Sequence, residues 1–191
     1  MRMGDASGRM RLRSTQPAAV RREASGSLTP FERPCLQPEP SAGIPADLSE
    51  WVLPTQLAEW IEEEMSLLDW SRAESPAGAC LESEYPRILA LLCFAYATRV
   101  FDDAEIIRAC RADTPLRFLC RGQVPFAAEL DWFRRKNRRL LQRALFAVFS
   151  RVLAERNPMH AWRLQSQWDL DIEESVAARL DVARHLNSNE D

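Results

Sequence analysis

The sequence contains almost no lysine: Lys136 is the single lysine among 25 lysine and arginine residues. A bias in nucleotide composition produces the same excess of arginine as selection for phosphate contacts, so the arginine count alone identifies no function. The formal net charge is −3, which excludes a chain that is basic as a whole. Any affinity for nucleic acid must therefore come from a local concentration of cations.

Long hydrophobic runs are also missing. The longest uncharged apolar stretch, Ile88 to Thr98, is far shorter than the roughly 18 to 20 residues that span a bilayer. The start, "MRMGDASGRMRLRS", lacks the apolar run of a signal peptide. We therefore expect a cytoplasmic protein with no membrane partner. An organellar transit peptide, which is also rich in arginine and poor in acids, is the alternative interpretation of this start.

Residue patterns that carry catalysis or bind metals are absent as well. The five cysteines are odd in number and form no CxxC pair, which favours reduced, structural cysteines over disulfides or a zinc site. The two histidines, His160 and His185, have no recognisable partner in a motif, and no glycine-rich phosphate loop or GxSxG is present. We predict no catalytic residues, no metal and no cofactor, and hence no enzyme.

No segment alternates apolar and polar residues as a strand does, so the predicted fold class is all-α: a compact bundle of about five to six helices with a disordered N-terminal tail. The predicted divisions are the tail at 1–46, a helical domain at 47–156, and an extension at 157–191 with one amphipathic helix. The proline-rich tail carries seven arginines and four acids. It is either a DNA-seeking arm, or an unselected tail whose true start is Met3 or Met10.

Helix starts follow from proline and capping patterns. An amphipathic helix is predicted from Pro54 to Trp70 with its acids on a solvated face, and a helix apolar on nearly every side follows Pro86. Pairs of acids three residues apart predict two further starts, and Asp-Thr-Pro predicts a third. These signals are Asp102 with Glu105, Asp171 with Glu174, and Asp113-Thr114-Pro115.

The stretch "FRRKNRRLLQR", from Phe133 to Arg143, holds six cations in eleven positions. Its residues belong to a predicted helical region from about 126 to 155. At about 100° per residue, Phe133 centres an apolar arc of about 100°, and the cations occupy the rest of the surface. The neighbouring Trp132 falls outside this arc and is predicted to point outward. Beyond Ala144 the apolar side changes, so either the helix breaks near Asn137 or its second half is packed on two sides.

Charge is segregated along the chain. Residues 117–143 carry eight bases and two acids, a local charge of +6, whereas residues 44–112 carry five bases and thirteen acids, a local charge of −8. Nucleic-acid-binding proteins show such directed fields. In the simpler interpretation the cations are only the solvated face of a helix, which the acidic first helix neutralises within the same domain.

The segment from Arg87 to Leu141 resembles the N-terminal helical domain of DDE-type insertion-sequence transposases. The matching pieces, in the family's order, are "ALLCFAYATRVF", "DDAEIIRAC", "RFLCRG", "QVP" and "WFRRKNR". The resemblance covers about a third of the chain and implies a helical domain that binds transposon ends.

Two departures from the family pattern stand out. Phe126-Ala127-Ala128-Glu129 replaces the Asp and Ser or Thr that cap the basic helix in the family, so we expect a less fixed start for this helix. The family's catalytic domain, with three carboxylates on an RNase H-like sheet that hold two metal ions, has no counterpart before the chain ends at Asp191. The acids of "DLDIEE" are explained by helix capping rather than by a metal.

The resemblance and the charge pattern together predict a non-catalytic DNA-binding domain, a truncated or stand-alone remnant of a transposase. Its predicted partner is duplex DNA, with self-association or a protein partner also possible. The predicted DNA-binding residues are Arg117, Arg121, Arg134, Arg135, Lys136, Arg138, Arg139 and Arg143. The rival hypothesis is a helical protein-interaction module that no longer binds DNA and uses Phe146 and Phe149 as its contact.

Overall fold

The computed structural model describes residues 43–70, 73, 85–158 and 165–187. The tail predicted to be disordered, 1–46, lies outside this part of the chain except for its last four residues. The described residues belong to one packed unit with a single hydrophobic core.

Every regular element of the described residues is a helix, which confirms the all-α prediction. In chain order the elements are a 3₁₀ turn at Leu48–Glu50, α1 (Pro54–Leu67), α2 (Tyr85–Ala97), α3 (Asp103–Ala112), α4 (Thr114–Leu119), α5 (Ala127–Lys136), α6 (Arg138–Arg156) and α7 (Gln165–Asn187). The described part thus holds seven α-helices, because the region predicted as helical from 126 to 155 divides into α5 and α6.

Helix α2 forms the centre of the bundle. All but two of its side chains are buried, and it packs against α1, α4, α5, α6 and α7. A helix that is apolar on nearly every side is stable only where neighbours cover every side. The pattern of "RILALLCFAYATRVF" therefore predicted this position correctly.

The starts predicted for α3 and α4 are confirmed. The Asp102 carboxylate accepts a hydrogen bond of 2.9 Å from the backbone N–H of Glu105, which caps α3. Helix α4 begins after Asp113 with Pro115 in its first turn. Shortly after α4, Gly122 adopts a φ of +75°, a left-handed conformation that glycine takes without steric cost.

The acids of α1 lie against α6. Arg151 of α6 donates to Glu63 and, at 3.3 Å, to Glu64, and its guanidinium lies 5.2 Å from the centre of the Trp60 ring. Glu64 is partly buried, and Arg151 neutralises its charge there. The acidic side of α1 is thus partly an interhelical contact and not only a solvated face.

The start predicted for the last helix is wrong. Helix α7 begins at Gln165, so Asp171 lies inside the helix and does not cap it. The Asp171 side chain accepts from the Gln167 amide one turn earlier, at 3.1 Å. The spacing of Asp171 and Glu174 matches a cap, but acids three residues apart also occur within a helix, on one exposed side.

Helix α7 is anchored by buried polar side chains as well as by its apolar stripe. Arg179 is buried and donates to the backbone carbonyls of Tyr96, Pro45 and Ala46 at 2.8 to 3.1 Å. Near the end of the helix, the Asn187 amide donates to the Phe101 carbonyl at 3.0 Å. These bonds add to the apolar contacts of Ile172, Val176, Leu180 and Ala183 in holding α7 on the core.

Candidate nucleic-acid interface

Helix α5, which begins the basic stretch, has a defined start despite its unusual sequence. The Glu129 carboxylate accepts the backbone N–H of Phe126 at 2.8 Å, which is one half of a capping box. The side chain of Phe126 itself is exposed. Glu129 therefore fixes the helix start that the missing Asp, Ser or Thr led us to expect to be loose.

The neighbouring residues Trp132 and Phe133 of α5 both contact Tyr85 but differ in burial. Phe133 is fully buried, as predicted, with its ring 5.9 Å from that of Tyr85 on α2. The Trp132 ring also contacts Tyr85, stacked at 6.0 Å between ring centres with an interplanar angle of 17°. The outward position predicted for Trp132 is therefore wrong: it is half-buried and packs on the core.

Arg134 is the clearest correction to the predicted surface. The residue is 8% exposed. Its guanidinium forms a bidentate ion pair with Asp103 of α3, at 3.1 and 2.7 Å, and also donates to the Tyr96 hydroxyl at 3.3 Å. Burial raises the pKa of Asp103, and the hydrogen bonds from Arg134 oppose this shift. Arg134 therefore joins α5 to α3 and does not lie on the exposed basic surface.

Of the two alternatives for the change of apolar side, a break near Asn137 and a second half packed on two sides, the break is observed at Asn137. The Asn137 N–H closes α5 by donating to Phe133 at 2.8 Å, and its carbonyl opens α6 by accepting from Leu141 at 2.9 Å. Between these bonds its φ of −112° and ψ of 27° depart from helical values and change the chain direction. Asn137, which is buried, therefore ends α5 and starts α6.

A depression of about 430 Å³ lies at this junction, and we call it the basic depression. Its lining residues are Arg135, Lys136, Asn137, Arg138, Arg139, Leu140 and Arg143. All five cations of this set are exposed. The basic depression is thus a concave surface with positive side chains on both sides of the helix break.

Few carboxylates oppose these cations. Arg135 pairs with Asp131 one turn earlier, and Arg138 pairs with Asp181 of α7 at 3.2 Å. The other three cations form no hydrogen bond or ion pair with any described residue; they are Lys136, Arg139 and Arg143. Exposed ion pairs contribute little to stability, so even the two paired arginines are available to an outside anion.

The start of α6 adds to the positive field. No acid occupies its first turn and no side chain caps it, whereas Arg138 and Arg139 lie there. The first N–H groups of a helix lack intrahelical partners and carry a partial positive charge. Cations at this end of the helix are therefore repelled by that charge. An anion placed at this end would relieve the repulsion and bind both the cations and the N–H groups.

Besides Arg134, two more of the predicted DNA-binding residues do not line the basic depression. Arg121 pairs with Glu62 of α1 at 3.3 Å and lines a second cavity, of about 370 Å³, with residues of α1, α2 and α4. Arg117 is exposed on α4. The structure thus gathers five of the eight predicted residues, buries Arg134 and leaves these two elsewhere.

The acids of α1 do not neutralise the basic depression. Glu62 pairs with Arg121, and its neighbours Glu63 and Glu64 pair with Arg151 at the middle of α6. The segregation of charge read from the sequence therefore persists in the fold at the α5–α6 junction.

The contact surface of the rival hypothesis is not exposed. Phe149 is 1% exposed, and the Arg179 guanidinium lies 4.7 Å from the centre of its ring. Phe146 is partly buried and packs against the core. The change of apolar side that singled out these residues is thus explained by the many neighbours of α6.

Other expectations concern residues outside this interface. Cys93, Cys110 and Cys120 are free and buried, as expected of structural cysteines, and burial raises the pKa of Cys110 to about 12. Across the described ranges, no three His, Cys, Asp or Glu side chains come together to hold a metal ion. None of the helices in these ranges is both long and apolar enough to cross a membrane.

No protein-family model, curated protein or solved structure matches the chain.

Proposed function

We propose that this chain is a cytoplasmic, non-catalytic helical domain that binds duplex DNA, and that the basic depression contacts the phosphate backbone. The observation that carries this proposal is the set of cations at the α5–α6 junction that pair with no described residue. Lys136, Arg139 and Arg143 converge there on a helix start that holds no acid. A merely solvated helix face does not require cations at the positive end of a helix dipole.

The shape and chemistry of the basic depression favour phosphate over base edges. Its polar groups are guanidinium and ammonium groups on long side chains, with Asn137 buried beneath them. Such groups bind phosphate strongly but carry little sequence information without bidentate contacts to bases. We therefore expect salt-dependent binding with low sequence preference at this surface.

The resemblance of residues 87–141 to the N-terminal domain of DDE transposases supports the same function, with transposon ends as the DNA. In that family the catalytic carboxylates are held on a mixed sheet, whereas the described fold of this chain is helical. We infer a domain that positions DNA and leaves strand cleavage to another domain or chain.

The proposal is tested by changing Arg139 and Arg143 to Gln together and measuring DNA affinity. Both side chains are exposed and have no partner among the described residues, so the double variant should fold as the wild type does. We expect its affinity for a labelled 20-base-pair duplex to fall about tenfold or more at 0.1 M salt, because two phosphate contacts are lost. Fluorescence anisotropy measures the affinity, and circular dichroism verifies the fold.

A matched control removes the same charge elsewhere. Arg111→Gln combined with Arg156→Gln also removes two exposed arginines, and Arg156 lies about 20 Å along α6 from Arg143. This control should retain most of the affinity. Equal losses in the two double variants would show that only total charge matters and that the basic depression is not a binding site.

A further inference from the structure

A second basic element lies beside the basic depression, on a helix that the sequence pattern did not connect with DNA. Arg138 at the start of α6 donates to Asp181 at 3.2 Å, and Arg184 near the end of α7 forms an ion pair with Asp181 at 3.4 Å. Both contacts are to the same carboxylate oxygen, Oδ1. Two guanidinium groups from different helices therefore converge on one anionic oxygen.

The anion that brings these two guanidinium groups together is a carboxylate, and a phosphate has the same charge sign and the same kind of acceptor oxygens. Guanidinium groups bind carboxylate and phosphate oxygens through the same N–H donors. All three side chains are about half exposed, so water screens their attraction and the ion pairs stabilise the fold little. A DNA phosphate can then replace the carboxylate at low cost to the fold.

We propose, on the basis of the proposed DNA-binding function, that the phosphate-binding surface continues from the basic depression onto α7 through Arg138 and Arg184. Asp181 holds these two arginines together in the free protein and competes with DNA phosphate for them. The surface then has two contributing regions, the α5–α6 junction and the last turns of α7. Because Asp181 competes for both arginines, its carboxylate lowers the affinity of this surface for DNA.

Removing the positive charge of Arg184 and removing the negative charge of Asp181 are expected to change the DNA affinity in opposite directions. Arg184→Gln should weaken binding about three- to tenfold and reduce the salt slope by about 0.9, because one phosphate contact is lost. Arg184→Lys keeps the charge and should recover most of the loss. Asp181→Asn keeps the size of the side chain but removes its charge, so it should strengthen binding about threefold or more.

Controls must separate this site from general charge effects. Glu173→Gln removes an exposed acid from the same helix, and Arg156→Gln removes an arginine from the far end of α6. We expect each control to change the affinity less than twofold. All variants are compared as the full chain with the same 20-base-pair duplex, and thermal melts verify that each is folded.

The outcomes distinguish failure of the extension onto α7 from failure of the proposed DNA-binding function. If Asp181→Asn and Arg184→Gln behave like their controls while the variant of Arg139 and Arg143 loses affinity, the extension onto α7 is wrong and the proposed function stands. Weaker binding by Asp181→Asn also overturns the extension, because the carboxylate would then assist binding rather than compete with it. If the wild type does not bind DNA, the proposed function itself fails.

Discussion

Replacing Arg134 with Gln is expected to destabilise the fold by about 3 to 5 kcal/mol, because it leaves the Asp103 carboxylate buried without its cation. The two side chains are 9% and 12% exposed, and Arg134 binds both carboxylate oxygens. Gln is shorter and neutral, and it cannot reproduce the bidentate contact with the Asp103 carboxylate. Chemical denaturation followed by circular dichroism measures the loss.

The adjacent Arg135 provides the control. Its ion pair with Asp131 is exposed, so Arg135→Gln should cost no more than about 0.5 kcal/mol. Arg134→Lys should fall between the two, because an ammonium keeps the charge but does not bridge both carboxylate oxygens. Equal stability of Arg134→Gln and Arg135→Gln would mean that Arg134 is exposed, as the helical wheel predicted.

The loss in Arg134→Gln should also depend on pH. Burial raises the pKa of Asp103 even in the wild type, and the variant loses the hydrogen bonds that oppose this shift. A carboxyl group whose folded pKa lies above its unfolded value stabilises the fold at low pH, and this stabilisation is lost as the pH rises through the folded pKa. Arg134→Gln should therefore be closer in stability to the wild type at pH 5 than at pH 8.

Phe133→Ala is expected to cost about 3 to 5 kcal/mol as well, since it empties a fully buried aromatic position in the core. Trp132→Ala should cost less, about 1 to 2 kcal/mol, because its ring is only half-buried and its main loss is the stacking on Tyr85. Losses of this size are large beside the stability of a typical domain. Thermal and chemical denaturation of both variants measures the difference.

The comparison of Phe133 and Trp132 tests the orientation of α5. Equal destabilisation by the two substitutions would show that the helix is rotated from the position described. A DNA affinity that falls on Trp132→Ala, with the fold intact, would indicate that the ring supports the basic depression, although it packs on α2. We expect no such change.

The sequence predicted the helices well where the residues that form a cap or an apolar surface are close to one another along the chain. The capping of α3 by Asp102 depends on an N–H three residues away, and the apolar surface of α2 is continuous in the sequence. The break at Asn137 was one of the two alternatives indicated by the change of apolar side beyond Ala144. Each of these features follows from neighbouring residues and helical geometry.

The basic surface was predicted less well because its partners come from distant helices. On the helical wheel Arg134 lies only about 20° from Leu141, at the edge of the apolar arc, and its position is decided by Asp103, which is 31 residues away. A helical wheel shows which residues share a side of a helix. It does not show that α3 brings a carboxylate to the edge of that side.

The contribution of α7 could not be read from the sequence for the same reason. Asp181 and Arg184 form an ordinary pair three residues apart, typical of an exposed helix surface. Only the packing of α6 against α7 places Arg138 against the same carboxylate, 43 residues away. The sequence therefore indicated the basic junction but not how far the basic surface extends.

The most direct test of DNA binding by the basic depression is the salt dependence of wild-type affinity for a 20-base-pair duplex. Each phosphate contact contributes about −0.9 to the slope of log K against log salt concentration, so three to five contacts predict a slope of about −3 to −4.5. Duplexes of unrelated sequence should give similar slopes. A slope near zero, or no binding at low salt, would contradict the assignment of the basic depression as a phosphate-binding surface.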